Sequence, residues 1–458
     1  MKYSKRQTIS RVHTIPEIRF EDQRITSYAG LIVLQPLLTK LRLKERLRGC
    51  FSHRKSSPIF GYQVITLLLI LHLIMGYRKL RDIDYYRDDP MIKRLLGLNK
   101  LPDVSTVSRA LAEADRESIE QIREICRVLV LERLRKTKVY RITIDFDGSV
   151  QSTGRKAEGT AIGFNKKKKG QRSYYPLFCT VAQTGQVFDV YHRPGNVHDS
   201  NGAKEFIRQC IGTIRETASW IKIEARLDSA FFSDDIVGML DDMGVEFSIS
   251  VPFERFTELK NMIEERKRWK HFSEKWSYFE SAWKPKKWDR RYRFVFIRQT
   301  VKELYKKPIQ LDLFVPSEYG YDFKVIVTNK ETSTKKVLMF HNGRGSQENV
   351  FGELKSQSQM DYIAVRRLHG NQLYLMSAVM AHNLNRELQM IAKPVSRGTT
   401  EKRVALWDFE ELDTIRHRIL QRAGRFTTPQ GKLTLTLSAN KAVKRDLLHF
   451  LDALQKVA

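Results

Sequence analysis

The stretch Tyr140-Arg141-Ile142-Thr143-Ile144-Asp145-Phe146-Asp147-Gly148-Ser149 alternates apolar with polar residues. Ile142, Ile144 and Phe146 point one way, and Thr143, Asp145, Asp147 and Ser149 the other, as side chains of a strand do. Gly148-Ser149 marks its end. Two carboxylates on one face repel unless something offsets them, and a hard divalent cation with oxygen ligands is the usual agent. Taken alone, the pair reads equally as a solvated strand end. Two further sites downstream shift that balance. Residues 220–229 repeat the theme, with Ile221, Ile223, Ala225 and Leu227 alternating before Asp228-Ser229-Ala230-Phe231. Residues 339–355 open a helix with Ser346 as its expected N-cap, and Glu348 and Lys355, seven apart, share one face. Gly352, one turn after Glu348, costs roughly 1 kcal/mol relative to alanine in a helix. Close approach of a ligand or backbone is a reason to accept it.

Composition says what such a site would act on. Lys and Arg number 81 against 52 Asp and Glu, a formal charge of +29 in 458 residues. That excess favours a polyanionic partner, with nucleic acid ahead of a membrane surface. The length allows two to four domains. Cys50, Cys126, Cys179 and Cys210 are scattered with no CxxC pair, so neither a zinc site nor a disulfide framework is expected and a reducing cytoplasm fits. The longest apolar run, residues 64–75, is broken by Thr66 and His72. It is shorter than the roughly 20 residues that span a bilayer, and reads as a buried helix.

Around the acidic positions the expected organisation is a basic arm at 1–27, a helical segment at 28–138, an α/β core at 139–253 and 321–395, a β insertion at 254–320 and a basic C-terminal region at 396–458. Within the helical segment, Asp103 could cap a helix whose Ser105, Thr106, Ser108 and Arg109 form an exposed polar face. That is the kind of face a recognition helix presents to DNA, or an ordinary surface helix to water. A loop at 163–172 carries Lys166, Lys167, Lys168 and Lys169 between glycines, suited to phosphate contact. Residues 174–191 read as a hairpin turning at 183–186, 201–217 as an amphipathic helix, 234–244 as a helix capped by Ser233, and 246–251 as a strand. His192 and His198 lie close in sequence without a third ligand. The result is a mixed α/β sheet. The insertion holds Trp269, Trp276, Trp283 and Trp288 among cations, with strands expected at 292–298 and 309–315. These tryptophans suit stacking on splayed bases, or form the insertion's own core. Trp288 is the first choice for stacking, because Lys286, Lys287, Arg290 and Arg291 surround it.

Taken together, these residues resemble the DDE transposases of bacterial insertion sequences, and within them the group with a tyrosine–arginine–glutamate–lysine signature and a β insertion before the glutamate. His341, Arg344, Glu348 and Lys355 occupy the signature's places, with histidine standing for tyrosine. The resemblance runs from about residue 29 to the C-terminus. It implies an RNase H-like core with a helical N-terminal DNA-binding domain and an all-β insertion. It implies that Asp147, Asp228 and Glu348 are catalytic and hold two Mg²⁺ ions, with Mn²⁺ able to substitute and Asp145 as the alternative to Asp147. Arg344, Lys355, His341, Trp288, Lys166, Lys167 and Arg109 would contact DNA. The implied reaction is cleavage at terminal inverted repeats followed by transfer of the 3′-OH ends to target DNA. It would be carried out by a homodimer on double-stranded DNA in the bacterial cytoplasm, without a membrane role. A DNA-binding protein without catalysis, or an RNase H-like nuclease without strand transfer, would share much of this pattern.

Overall fold

The computed structural model describes residues 15–55, 59–163, 165, 168–197, 201–300, 320–396, 398 and 405–456. Helix α1 (Tyr62–Ile74) is apolar on every side, and each residue from Ile65 to Ile74 is buried, as a helix without a polar face must be. Helix α2 (Val104–Ala112) starts at Asp103, whose carboxylate accepts the Thr106 N–H at 2.8 Å. Its Val107, Ala110 and Leu111 point inward, while Ser105 and Arg109 are exposed. Helix α3 (Arg116–Thr137) is capped by Asp115 and ends at Lys138, in the left-handed region at φ 53°.

Among the described residues, nine of the strands that follow make up the central sheet: β1 (Arg141–Gly148), β2 (Leu177–Val181), β3 (Gln186–Tyr191), β4 (Lys222–Leu227), β5 (Glu246–Val251), β6 (Lys270–His271), β7 (Trp276–Trp283), β8 (Tyr292–Thr300) and β9 (Tyr321–Thr328). They form one mixed sheet in the order β6-β7-β8-β9-β5-β4-β1-β2-β3. β1, β4 and β5 are mutually parallel, and every other pair is antiparallel. The expected 174–191 hairpin is β2–β3. Helices α4 (Ala203–Thr217) and α5 (Asp234–Asp242), the latter capped by Ser233, make the crossovers to β4 and β5. Arg123 and Arg127 of α3 both bind the fully buried Asp189 carboxylate of β3, at 2.8 and 3.0 Å, and so fasten that helix to the sheet.

Two boundaries differ from expectation. The strands of the 254–320 segment do not form a separate β body among the described residues. β8 pairs with β9 from Arg293↔Thr328 to Thr300↔Tyr321, and β9 pairs with β5, so the insertion widens the central sheet. Alternation marks a strand, but a strand's partner is a long-range choice that alternation does not encode. The 28–138 segment likewise has no core of its own. α1, α2 and the first half of α3 share one apolar cluster with α8 (Leu368–Ala392) and α9 (Lys441–Lys456). The end of the basic arm, Ile25–Thr26, pairs with Gly424–Thr427. The expected strand at 309–315, together with Lys166, Lys167 and His198, lies outside the described residues.

Candidate active site

Parallel register builds the first half of the site. Phe146 of β1 lies opposite Leu227 of β4, so Asp147 and Asp228, the next residue on each chain, emerge side by side at the strand ends. Asp228 also shapes its own loop, because its carboxylate accepts the Ala230 N–H at 2.9 Å and caps a single 3-10 turn. The second half comes from the chain after β9. Where one helix was expected, two form: α6 (Thr334–Asn342) and α7 (Gly345–Ser356). Gly343 and Arg344 lie between them, Arg344 stands at the N-cap position of α7 without a side-chain capping bond, and Ser346 lies inside the helix rather than at its cap.

Arg344 joins the two halves. Its Nη1 donates to Asp147 Oδ2 at 3.0 Å, and its Nη2 lies 3.9 Å from Glu348 Oε1. The Glu348 side chain is 68% exposed in the first turn of α7. Lys355 is half-buried two turns further along α7. A Cβ on Gly352 would meet nothing within 4 Å, so no backbone approaches there and the space beside Glu348 is open. Among the described residues, no three His, Cys, Asp or Glu side chains gather closely enough to hold a metal ion. The donor set nonetheless fits a hard divalent cation, since all three groups are carboxylates. The Arg344 guanidinium, lying between Asp147 and Glu348, shows that a positive group is accommodated between them.

Asp145 has a different part. It is buried against Arg226, which reaches both carboxylate oxygens at 2.6 Å. Arg226 also donates to the Phe340 carbonyl at 3.1 Å. Beneath it, Gly343 leaves the room that Arg226 needs, since a Cβ there would stand 2.2 Å from Nη1. Buried Gln347 donates to the Asp145 carbonyl at 3.0 Å. Arg226, Gly343 and Gln347 therefore fix the α6–α7 junction on β1, and none of them was singled out from sequence. A signal for Arg226 was present. It stands two residues before Asp228, as Asp145 stands two before Asp147, and parallel pairing then puts opposite charges face to face.

Two of the expected DNA contacts are corrected. His341 is buried and bonded on both ring nitrogens to Ser248 and Ser250 of β5, at 3.0 and 2.9 Å. Burial, with Lys324 and Arg344 nearby, drives its pKa far down, so it is a neutral anchor for α6 and not a DNA ligand. Trp288 is 7% exposed and packs on Phe232 at 4.8 Å. The flanking cations do not expose it: Arg290 turns outward to Asp242 at 2.5 Å, and Lys284 caps the Trp288 carbonyl at 2.6 Å. Arg109 is exposed on α2. Lys324 of β9 was also missed. Its amine bonds Asn342 at 3.2 Å, and burial beside Arg344 lowers its pKa to about 8.

Comparison with curated proteins gives no match. Among solved structures, the piggyBac transposase synaptic complex with hairpin DNA aligns over 86% of this chain and 80% of its own, at 10% identity and a TM-score of 0.43. The Mos1 transposase paired-end complex with the left transposon end aligns over 42% of this chain and 60% of its own, at 9% identity and a TM-score of 0.17. No helix among the described residues is long and apolar enough to cross a membrane. The family model described as "Transposase DDE domain group 1" matches residues 12–458. The chain that carries Asp147 on β1, Asp228 at the end of β4 and Glu348 on α7 therefore belongs to the DDE transposases.

Proposed function

We propose that this transposase cleaves the terminal inverted repeats of an insertion sequence and transfers the resulting 3′-OH ends to target DNA, with Asp147, Asp228 and Glu348 holding divalent metal. The observation that carries this is the register of β1 against β4, whose last pair, Phe146 with Leu227, leaves Asp147 and Asp228 as the next residue on each chain, together with Arg344 spanning Asp147 and Glu348. The strand order β3-β2-β1-β4-β5, with an antiparallel β1–β3 meander, supports the RNase H-like reading of the core. When bound, Mg²⁺ or Mn²⁺ supplies an activated water and stabilises charge on the phosphate oxygens. The chain's own residues do the rest. Arg344 moves its guanidinium from Asp147 to a phosphate oxygen, where its planar fork can bind two oxygens at once. Lys324, charged below about pH 8, adds a second cation beside it. Lys355 faces the same strand of DNA from α7. A homodimer would hold the two ends together in the cytoplasm.

The test uses purified full chain, duplexes carrying the inverted repeat that brackets the gene, and a plasmid target. Asp147→Ala, Asp228→Ala and Glu348→Ala should each lower Mg²⁺-dependent cleavage by at least about 10³-fold, an effect of the size expected when a group acts in the transition state, while duplex binding persists. Wild-type cleavage by the Asp228→Ala protein would refute the assignment. Nicked ends without joined products would leave a nuclease in place of a transposase.

A further inference from the structure

Two large cavities are neighbours, and neither is lined by a candidate catalytic residue. One, of about 640 Å³, lies between residues 78–81, residues 152–155 and residues 361–364. The other, of about 460 Å³, continues it along Arg155, Lys156, Arg366 and Arg367 to Ser108 and Ala112 of α2. The two share Arg155, Ile363 and Ala364. Together they form one trough whose walls carry Arg81, Arg155, Lys156, Arg366 and Arg367, all exposed. Among the described residues none of these has a carboxylate partner. Arg78, the remaining arginine, pairs with Asp361 at 2.9 Å, the trough's one lining carboxylate. Like charges gathered on one concave surface repel one another and draw in an extended anion.

The trough is also fastened to the candidate active site. Residues 152–155 continue the chain just past Asp147, and residues 361–367 follow α7. The two are tied where the Gln151 amide donates to the Met360 carbonyl at 2.8 Å. The eight-residue reach from Asp147 to Arg155 is at most about 29 Å even if fully extended. That is less than one turn of a DNA duplex, about 34 Å.

We infer that this trough seats the phosphate backbone of the transposon-end duplex, within one helical turn of the phosphate being cut. The transposon end is favoured over target DNA because Ser108, on the polar face of α2, lines the same trough. A duplex seated there would lie against the helix whose exposed Ser105 and Arg109 can read a groove. This rests on the proposed function and adds to it the surface and the segment of DNA.

The experiment compares the full wild-type chain with Arg155→Ala/Lys156→Ala/Arg366→Ala/Arg367→Ala and with the matching Arg→Lys variant at 155, 366 and 367. Affinity for a 40-base-pair inverted-repeat duplex and for a random duplex is read across a salt series. Each lost phosphate contact should reduce the slope of log K against log salt by about 0.9. The alanine variant should therefore lose about 3.6 units of slope, and at least about tenfold in inverted-repeat affinity at 0.15 M salt, with its melting temperature unchanged. The lysine variant should keep the slope, because charge, not shape, binds there. An alanine variant with wild-type slope and affinity overturns the seat while leaving the proposed function standing. Loss confined to the random duplex makes it a target-DNA surface and overturns the inference as well. A wild-type chain that binds neither duplex removes both the seat and the proposed function.

Discussion

Two aspartates two residues apart on one strand face divide the labour. Burial pushes the Asp145 carboxyl up, and the Arg226 fork offsets this by holding both oxygens. Its role is to anchor. Asp145→Ala strands a fully buried guanidinium, and breaking such a pair costs about 3–5 kcal/mol. Asp147 is 20% exposed and shares its arginine with Glu348, so Asp147→Ala should cost less than about 1 kcal/mol while abolishing cleavage. Denaturant titration of both variants checks this, and equal destabilisation would show that the two roles are not separate. Trp288→Ala removes a buried ring from among Phe232, Tyr292 and the sheet, and should cost about 3–5 kcal/mol. A variant that melts like wild type but fails to process ends would restore the stacking role that its neighbours in sequence suggest. The flanking lysines and arginines were a poor guide because side chains in a turn point in different directions. Charge at neighbouring positions says little about where the ring itself goes.

At the level of elements, the break between α6 and α7 sets the angle at which Glu348 approaches Asp147. Gly343 keeps that junction tight. Gly343→Ala forces its Cβ toward Arg226 Nη1, and overpacking of this sort costs about 1–3 kcal/mol. Its sharper effect should be on cleavage, because displacing α7 moves Glu348. The expected result is a loss of at least about tenfold in rate, since small misplacements of reacting groups are costly, with duplex affinity unchanged; wild-type cleavage would show that the junction tolerates movement. Elements of this kind were only partly legible in the sequence. Alternation found β1, β4 and β5, and Asp103 and Ser233 found their helices, because those signals are local. The break at 343–344 was not legible, because it answers to Arg226, which is distant in sequence. Nor was the joining of β6–β8 to the central sheet, since the partner of β8 is β9, beyond residues 301–319.

For the whole molecule, several ionisable groups are buried in one continuous fold. Burial lowers the pKa of His72, inside α1, to about 4. The unfolded chain then takes up a proton below pH about 6.5 that the folded chain refuses. Stability is therefore full above that pH and falls as pH drops toward 4. Glu353 extends the trend. Burial opposes its ionisation, but His382 and Arg386 overcome this and hold its pKa at about 2. Its contribution is present above pH about 4.5 and is lost as pH falls toward 2. Melting temperature should drop steadily from pH 6.5 downward at constant ionic strength. A flat profile between pH 7 and 4 would contradict the buried, neutral state of His72.

The shared core of α1 and α8 has a consequence during synthesis. More than two hundred residues separate the end of α3 from the start of α8, and a ribosome adding about 5–20 residues per second needs roughly 10–40 s or more to cover them. Until α8 emerges, the earlier helices cover only part of the apolar surface that runs around the whole circumference of α1, and the face that packs on α8 stays bare. The nascent N-terminal segment therefore waits, sticky and unfinished, longest in the slowest-growing cell. Asp147 is already translated, but the helix that carries Glu348 is not.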